Sequence, residues 1–385
     1  MIKERKKKGF GVFFDPTKST SGQRFFEDLC LALTAEALPL KQRPAVVLFN
    51  ISVPWKLILK TKLNRQKVVL RVDGLYCDRL SPAFLASFKW PLRPILALGL
   101  RFAWAHDFLA TVANLFNQNY GGFFRILFAD WLIYQSEFSH QVHQRYFPRK
   151  PFTIIPNGSE FRTSSKVSSD RAAHKEIRLV TIYDDWRPTK RMYDIVNFVL
   201  WANKTRQIPI HLRIIGYTGK TPLGSPTAMK AMIESSEYIR TLPRFKAFSD
   251  DLSKVLTESD LYITFSYRDA CPNVVVEAMA HGLPVVGIGS GGVPDIVGSA
   301  GMLLPINDFE NGFFTTQRYE HDFPPIDFEK VLGAVLGVMA NYGQYQVLVE
   351  ERFQNHLDIK VVAERYAIVL RQLLASTYTE SQDDD

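Results

Sequence analysis

The amino-acid sequence predicts an α/β protein of two domains, and three observations carry that prediction. Its 385 residues exceed the length of roughly 250–300 at which a single hydrophobic core stops growing. Short β-branched runs alternate with amphipathic helical stretches, the pattern of parallel sheets covered on both faces. A polar, serine-rich segment at 159–175, SEFRTSSKVSSDRAAHK, separates two such series and has no apolar period, so it reads as a linker.

The first domain, 1–158, opens with the strand-like GVFFD, followed by the helical QRFFEDLCLALTAEAL and the strands AVVLFNI and KVVLRVD. A helical span then reaches to about residue 130, and WLIYQS and FTIIPN supply two more strands. The second domain, 176–360, restarts with IRLVTIYDD, a helix over 190–204, HLRIIG and a helix over 228–238. LYITFS, a short helix opening at Asn273, PVVGI and MLLPI follow. From 328 to 374 the chain reads as mostly helical. Val361, Val362, Tyr366, Val369, Leu370 and Leu373 share one face, so 361–378 is expected to form a terminal helix packing back on the first domain, ahead of a disordered tail at 379–385.

A composition of 46% hydrophobic and 22% charged residues excludes a disordered or fibrous chain. Cys30, Cys77 and Cys271 are odd in number and far apart, which excludes a disulfide framework and a CxxC metal site and suits a reducing cytoplasm. The basic start, MIKERKKKGF, leads into a strand instead of an apolar signal core. The uncharged run at 108–124 carries Asn114, Asn117, Gln118 and Asn119, so no membrane-spanning helix is expected.

Net charge is +8, and KERKKK with Lys56, Lys60, Lys62, Arg65 and Lys67 places much of it in the first seventy residues. Such a face could meet anionic lipid or a phosphorylated substrate, or simply be solvated; nucleic acid is not expected as a partner. Basic and aromatic residues among Phe84, Phe88, Lys89, Trp90, Arg93, Arg101, Phe102 and Trp104 suggest a peripheral contact with the inner membrane face, against the alternative that these aromatics are core.

The densest constrained chemistry lies at 269–294, DACPNVVVEAMAHGLPVVGIGSGGVP. LYITFS is a buried strand, and the loop after it stands at a carboxyl end, where ligands bind in open α/β sheets. Asn273 is expected as N-cap of a two-turn helix that Gly282 stops. Asp269 precedes this helix and Glu277, eight positions on, falls in its first turns, while the N–H groups of that end favour phosphate oxygens.

With AMAHGLPVV and SGGVPDIV following in order, this run resembles the donor-binding region of glycosyltransferase family 4, the retaining enzymes of GT-B fold, and within it a subset with the wording D-x-CPN-VV-EAMA-x-GLPVV. The resemblance covers about 131–301. It implies two Rossmann-like domains facing across a cleft, a nucleotide-sugar donor mainly on the second and a glycan, polysaccharide or lipid-linked acceptor mainly on the first. It further implies hexosyl transfer with retention of configuration, of the kind used in cell-surface polysaccharide biosynthesis, with no obligatory cofactor or metal. By position it assigns Asp269 to the hexose hydroxyls and Glu277 to the ribose diol, with Pro272, Asn273 and Val274 beside them. Asp269 stands where Glu is commoner, one methylene shorter.

DDWRPTKR at 184–191 resembles the segment whose Arg and Lys hold the diphosphate, so Arg187 and Lys190 are candidate catalytic cations at the leaving group; the alternative is two surface cations at a helix start. TIIPNG at 153–158 resembles the hinge, HLRIIG the next strand, and LPRF at 242–245 places Arg244 and Phe245 near the base. On the acceptor side, STSG at 19–22 sits where the family has a Gly-rich loop, making Ser21 and Gly22 candidates on equal terms with a capped helix start. Asp73 in RVDG is an acceptor candidate or a strand-end turn. His106 is the nearest counterpart by region of a first-domain histidine, or a helix residue with a satisfied partner.

Two other classes compete. GIGSGG at 287–292, with Asp308 further on, satisfies a dinucleotide pattern and would suit an NAD-dependent oxidoreductase, but only 293–297 follows as helix. A non-catalytic sugar-nucleotide-binding or scaffold protein is suggested by the Asp269 replacement and by the lack of an alignable histidine. GYTGKT at 216–221 has the wrong spacing for a phosphate loop, and no HExxH, GxSxG, paired Cys/His set or EF-hand loop is present.

Overall fold

Two all-parallel sheets organise the chain, one in each of two units: Met1–Ser159 with His356–Asp385, and Glu160–Asn355. The computed structural model describes residues 10–13, 21–35, 44–75, 78–88, 92–116, 120–162, 176–183, 188–217, 228–245, 249–309 and 323–380. Most of the expected linker (163–175), the basic start and the last five residues lie outside these.

The first unit runs β1 (Phe10–Phe13), α1 (Ser21–Ala35), β2 (Val46–Asn50), α2 (Trp55–Leu63), β3 (Lys67–Val72), α3 (Pro82–Ala86), α4 (Leu92–Arg101), α5 (Ala103–Asn114), α6 (Tyr120–Phe128), β4 (Trp131–Tyr134), α7 (Glu137–Tyr146) and β5 (Phe152–Ile154), with strands in sequential order. Val46, Leu48, Val69 and Ile133 pack with Phe26 and Leu29 of α1 and with Val362, Tyr366 and Leu370 of α15 (Ile359–Glu380). The alternate residues Val47, Phe49, Val68 and Leu70 are buried as well, which is why β2 and β3 read as continuous apolar runs.

The helical span before residue 130 is four helices. Pro82 opens α3 with Ser81 Oγ accepting from Phe84 N at 3.1 Å, and Phe102 turns extended between α4 and α5. Of the aromatics proposed for a membrane face, Phe84 is core and Phe88 half-buried, whereas Phe102 and Trp104 are exposed; Lys89 and Trp90 lie outside the described residues. Helix α7 has no counterpart among the elements expected from the sequence; Ser136 caps it, accepting from Ser139 N at 3.1 Å.

The second unit runs β6 (Ile177–Ile182), α8 (Met192–Arg206), β7 (Ile210–Ile215), α9 (Ala228–Glu234), β8 (Ile239–Leu242), α10 (Asp250–Thr257), β9 (Leu261–Thr264), α11 (Asn273–Ala280), β10 (Val285–Gly289), α12 (Val293–Val297), β11 (Gly301–Pro305), α13 (Phe328–Ala340) and α14 (Tyr342–Arg352). Strand order is β11-β10-β9-β6-β7-β8, so the chain builds outward from β6, returns beside it as β9, and builds outward the other way. The carboxyl ends of β6 and β9 therefore form the switch point where open sheets bind ligands. Asp260, fully buried, staples the two strands: it accepts from Arg178 N at 2.8 Å, Nε at 3.1 Å and Nη2 at 2.7 Å.

Two expectations are corrected here. Helix α8 starts at Met192 and not at Lys190, because 188–190 form a 3-10 turn and Arg191 is left-handed at φ 55°. Strand β8 is an addition to the expected elements; its IRTL is short, at the sheet edge and half polar, and gives little periodic signal.

Candidate functional site

The loops leaving β6 and β9 are tied across the switch point. Tyr267 N donates to Thr189 O at 2.8 Å, and the Tyr183 hydroxyl donates to Lys190 O at 2.7 Å. Lys190 Nζ thereby reaches Asp269, donating to Oδ2 at 2.6 Å, with the two side chains 20% and 30% exposed. Two candidates that lie 79 residues apart in sequence are thus one ion pair at the sheet's carboxyl edge.

Asp269 is held from the far side by the SGG turn after β10. Its carbonyl accepts from Gly292 N at 2.7 Å, and its Oδ1 accepts from Cys271 N at 3.2 Å. Arg268, left-handed at φ 54°, donates its N–H to Ser290 Oγ at 2.8 Å. Gly291 sits at φ 62°, and a Cβ there would lie 2.2 Å from Asp269 O, so glycine is what lets the two loops stack.

Asp308 braces this turn from below, accepting from Gly291 N at 2.6 Å and from Ser290 Oγ, while its carbonyl accepts from Arg268 Nη2. Burial pushes its carboxyl up; the bonds from Ser290 and Gly291 and the Arg268 charge oppose that. Both carboxylate oxygens are thus engaged inside the protein, and α12 has five residues, so the dinucleotide reading of GIGSGG with Asp308 as ribose acid fails. The sequence pattern could not distinguish a brace from a ligand contact.

Helix α11 opens on Pro272, at φ −69°, ψ 103°, with Asn273 as the first helical residue and no side-chain cap. The N-cap role expected of Asn273 is therefore corrected: proline's fixed φ and missing N–H set the entry of the chain. No side-chain cap competes for an anion at that end, beside which Val274 is half-buried.

Glu277 is buried on α11, and its carbonyl receives His281 Nδ1 at 2.8 Å. His281 is held below the ordinary imidazole range, mainly by burial. Glu277 is close enough to Tyr262 on β9 for its charge to add to burial and Tyr183 in raising that phenol's pKa.

Other candidates lie elsewhere. Arg187 falls outside the described residues. Arg244, exposed, and Phe245, half-buried, follow edge strand β8, two strands from β6.

In the first unit, Ser21 and Gly22 are the first residues of α1, and His106 on α5 has Nδ1 3.2 Å from Asp107 Oδ1. Asp73 is more than a turn residue: it accepts from Gln135 Nε2 and from the buried Arg71, whose guanidinium lies 4.8 Å from the Phe25 ring centre and donates to Asn157 Oδ1 at 2.6 Å. Arg71 escapes sequence reading because a cation inside an apolar strand gives no motif. Among the described residues no group of three or more His, Cys, Asp or Glu side chains is placed to hold a metal ion.

Residues 189–316 match the family model described as Glycosyl transferases group 1. Over 176 residues the chain is 22% identical to N-acetyl-alpha-D-glucosaminyl L-malate synthase of Bacillus anthracis, covering 44% of this chain and 44% of that protein, so it spans less than half the length of this relative. Among solved structures, a glycosyltransferase from Rickettsia africae aligns with a TM-score of 0.55 at 11% identity, covering 94% of this chain and 84% of that one. Anabaena HepE in complex with UDP aligns with a TM-score of 0.52 at 14% identity, covering 90% and 82%. At such identities the likeness shows the fold, which is the expected GT-B class with two Rossmann-like units.

Proposed function

We propose that the chain is a retaining glycosyltransferase that takes a hexose from a nucleoside diphosphate sugar bound at the carboxyl ends of β6 and β9. The observation that carries this reading is the Lys190–Asp269 pair: a cation and a carboxylate, held together at the switch point of a parallel sheet beside an uncapped helix start. The family match over 189–316 and the likeness to a UDP-bound fold support the same class of donor.

In this reading the diphosphate meets Lys190 and the N-terminal N–H groups of α11, Asp269 takes sugar hydroxyls, and Glu277 takes the ribose diol. Pro272, Asn273 and Val274 line the donor, and Arg187 supplies a second cation. The bond from the anomeric carbon to the phosphate oxygen breaks, its electron pair staying on the phosphate. The acceptor hydroxyl oxygen bonds that carbon from the same face, and its proton passes to the departing phosphate. Lys190 stabilises the charge that develops on that phosphate, and stabilisation of developing charge usually dominates catalysis of this kind. The acceptor, a glycan or lipid-linked precursor, is assigned to the first unit, with Asp73, oriented by Arg71 and Gln135, as its first candidate contact.

The test is a thermal-shift screen of UDP, GDP, ADP and dTDP sugars, followed by measurement of free nucleotide release with the donor that binds. One donor should raise the melting point and be consumed, and Glu277→Ala should abolish both effects. Saturable binding with no released nucleotide under any acceptor would instead make the chain a sugar-nucleotide-binding protein.

A further inference from the structure

We propose that the α4–α5 hairpin of the first unit is a docking surface for an anionic lipid bilayer, an inference that stands independently of the donor site. Eight of the seventeen large hydrophobic side chains exposed among the described residues lie between 92 and 116. Leu92, Ile95 and Leu98 recur along α4, Phe102 follows, and Trp104 and Phe108 on α5 are 85% and 70% exposed.

The inward side of the same helices is already apolar and filled. Leu96, Ala105 and Ala110 are buried, and Gly99 lets α4 close in, since a Cβ there would come within 2.4 Å of Leu80 and 3.3 Å of Leu109. A water-facing helix would normally carry charge on its outer side. The outer sides of these two are mainly apolar, with Arg93, Arg101 and Asp107 as their exposed charges.

Charge selects the occupant. From 79 to 129 the one acid is Asp107, against Arg79, Lys89, Arg93, Arg101 and Arg125, and Arg93 and Arg101 are exposed toward opposite ends of α4. Apolar and aromatic residues with flanking cations are the composition of a helix seated among anionic headgroups. A second copy of this chain would instead bring like charges together, on two molecules each of net charge +8. With 10 and 12 residues the helices are about 15 and 18 Å long, half of a hydrocarbon core of ~30 Å, so the hairpin would lie in the interface. No described helix is long and apolar enough to cross a membrane.

The experiment is co-sedimentation of the full chain with vesicles of phosphatidylcholine alone and of phosphatidylcholine mixed with phosphatidylglycerol, at low and high salt. Binding is expected on the mixed vesicles and should weaken as salt screens it. Trp104→Ser with Phe108→Ser should lower partitioning by at least about tenfold. Arg93→Ser with Arg101→Ser should lower it by about tenfold on anionic vesicles only. Both pairs should keep the melting temperature and the nucleotide-sugar response of the parent, which separates failure here from failure of the donor reading.

Absence of binding at low salt, or undiminished binding by both variants, would overturn the proposal. So would self-association that the aromatic variant abolishes, which would assign the face to a second copy.

Discussion

Replacing Lys190 by Met is the sharpest probe of the donor site, because the same ion pair predicts different effects on folding and on binding. In the free protein, Lys190 and Asp269 form a 2.6 Å pair whose members are 20% and 30% exposed, and a pair so hydrated contributes at most about 1 kcal/mol. The variant should therefore lower the melting temperature by only about 2–4 °C. In the proposed complex the ammonium faces a diphosphate, and one charge-assisted bond to such a group is worth about 1.5–3 kcal/mol. That corresponds to a dissociation constant raised about ten- to a hundredfold, with the uncovered Asp269 carboxylate adding repulsion.

Titration calorimetry with the nucleoside diphosphate that stabilises the parent reads this directly. Asp269→Asn should act oppositely, leaving diphosphate affinity equal or higher while turnover of the sugar donor is lost. Since the two side chains touch, the double variant should be non-additive. Unchanged diphosphate affinity in Lys190→Met, with only the melting point altered, would refute the reasoning and leave a structural ion pair.

Gly291→Ala places a Cβ 2.2 Å from Asp269 O at φ 62°, so the two loops must part; a loss of about 1–3 kcal/mol by urea denaturation, together with lost donor binding, is expected. Asp260→Ala strands the Arg178 N–H between β6 and β9 and leaves the partly exposed guanidinium to water, and should cost about 1–3 kcal/mol, read as a lower urea midpoint with an unchanged slope. Burial, joined by His140's charge and opposed by the bond between His143 Nδ1 and Ser139 O, pushes His143 down to about 4, so the folded first unit holds it neutral while the unfolded chain protonates near 6.5. Its contribution is complete above about pH 6.5 and is lost as pH falls toward 4, about 3 kcal/mol in all. Urea midpoints of His143→Gln measured from pH 7 to 4 should fall less steeply than those of the parent; parallel curves would show that His143 is not the titrating group.

What the sequence disclosed follows from how each feature is encoded. The doubly covered strands were legible because burial on both faces leaves continuous runs such as VVLFN and KVVLRV, and α11 because a loop, a helix and Gly282 lie within fifteen residues. The Lys190–Asp269 contact was not legible: resemblance placed the two residues on the same donor but not against each other, and their meeting depends on β9 returning beside β6 after an excursion of some eighty residues. Strand β8 and helix α7 were missed for a different reason: IRTL and EFSHQVHQRY carry mixed polarity, and tertiary context decides what such segments become. The left-handed Arg191 and Arg268 gave no warning either, because nothing in a one-letter code marks an arginine held at positive φ.

The acids of the second unit separate by the kind of donor each one meets. Asp260 and Asp308 are buried and receive backbone N–H groups, from Arg178 and from Gly291, so their bonds can be broken only by moving strands or turns. Asp269 also takes one backbone donor, Cys271, on Oδ1, but its Oδ2 is met by a lysine on a four-carbon stem at a hydrated edge. A backbone donor cannot leave when a ligand arrives; an ammonium can turn toward a diphosphate and release that oxygen to a sugar hydroxyl. In the proposed reaction, then, the ion pair acts as a placeholder for the donor, engaging cation and acid with each other until both are claimed at once. The non-additivity of the Lys190 and Asp269 variants measures that exchange: coupling that is present in the free protein and vanishes with bound diphosphate supports it, and coupling of equal size in both states excludes it.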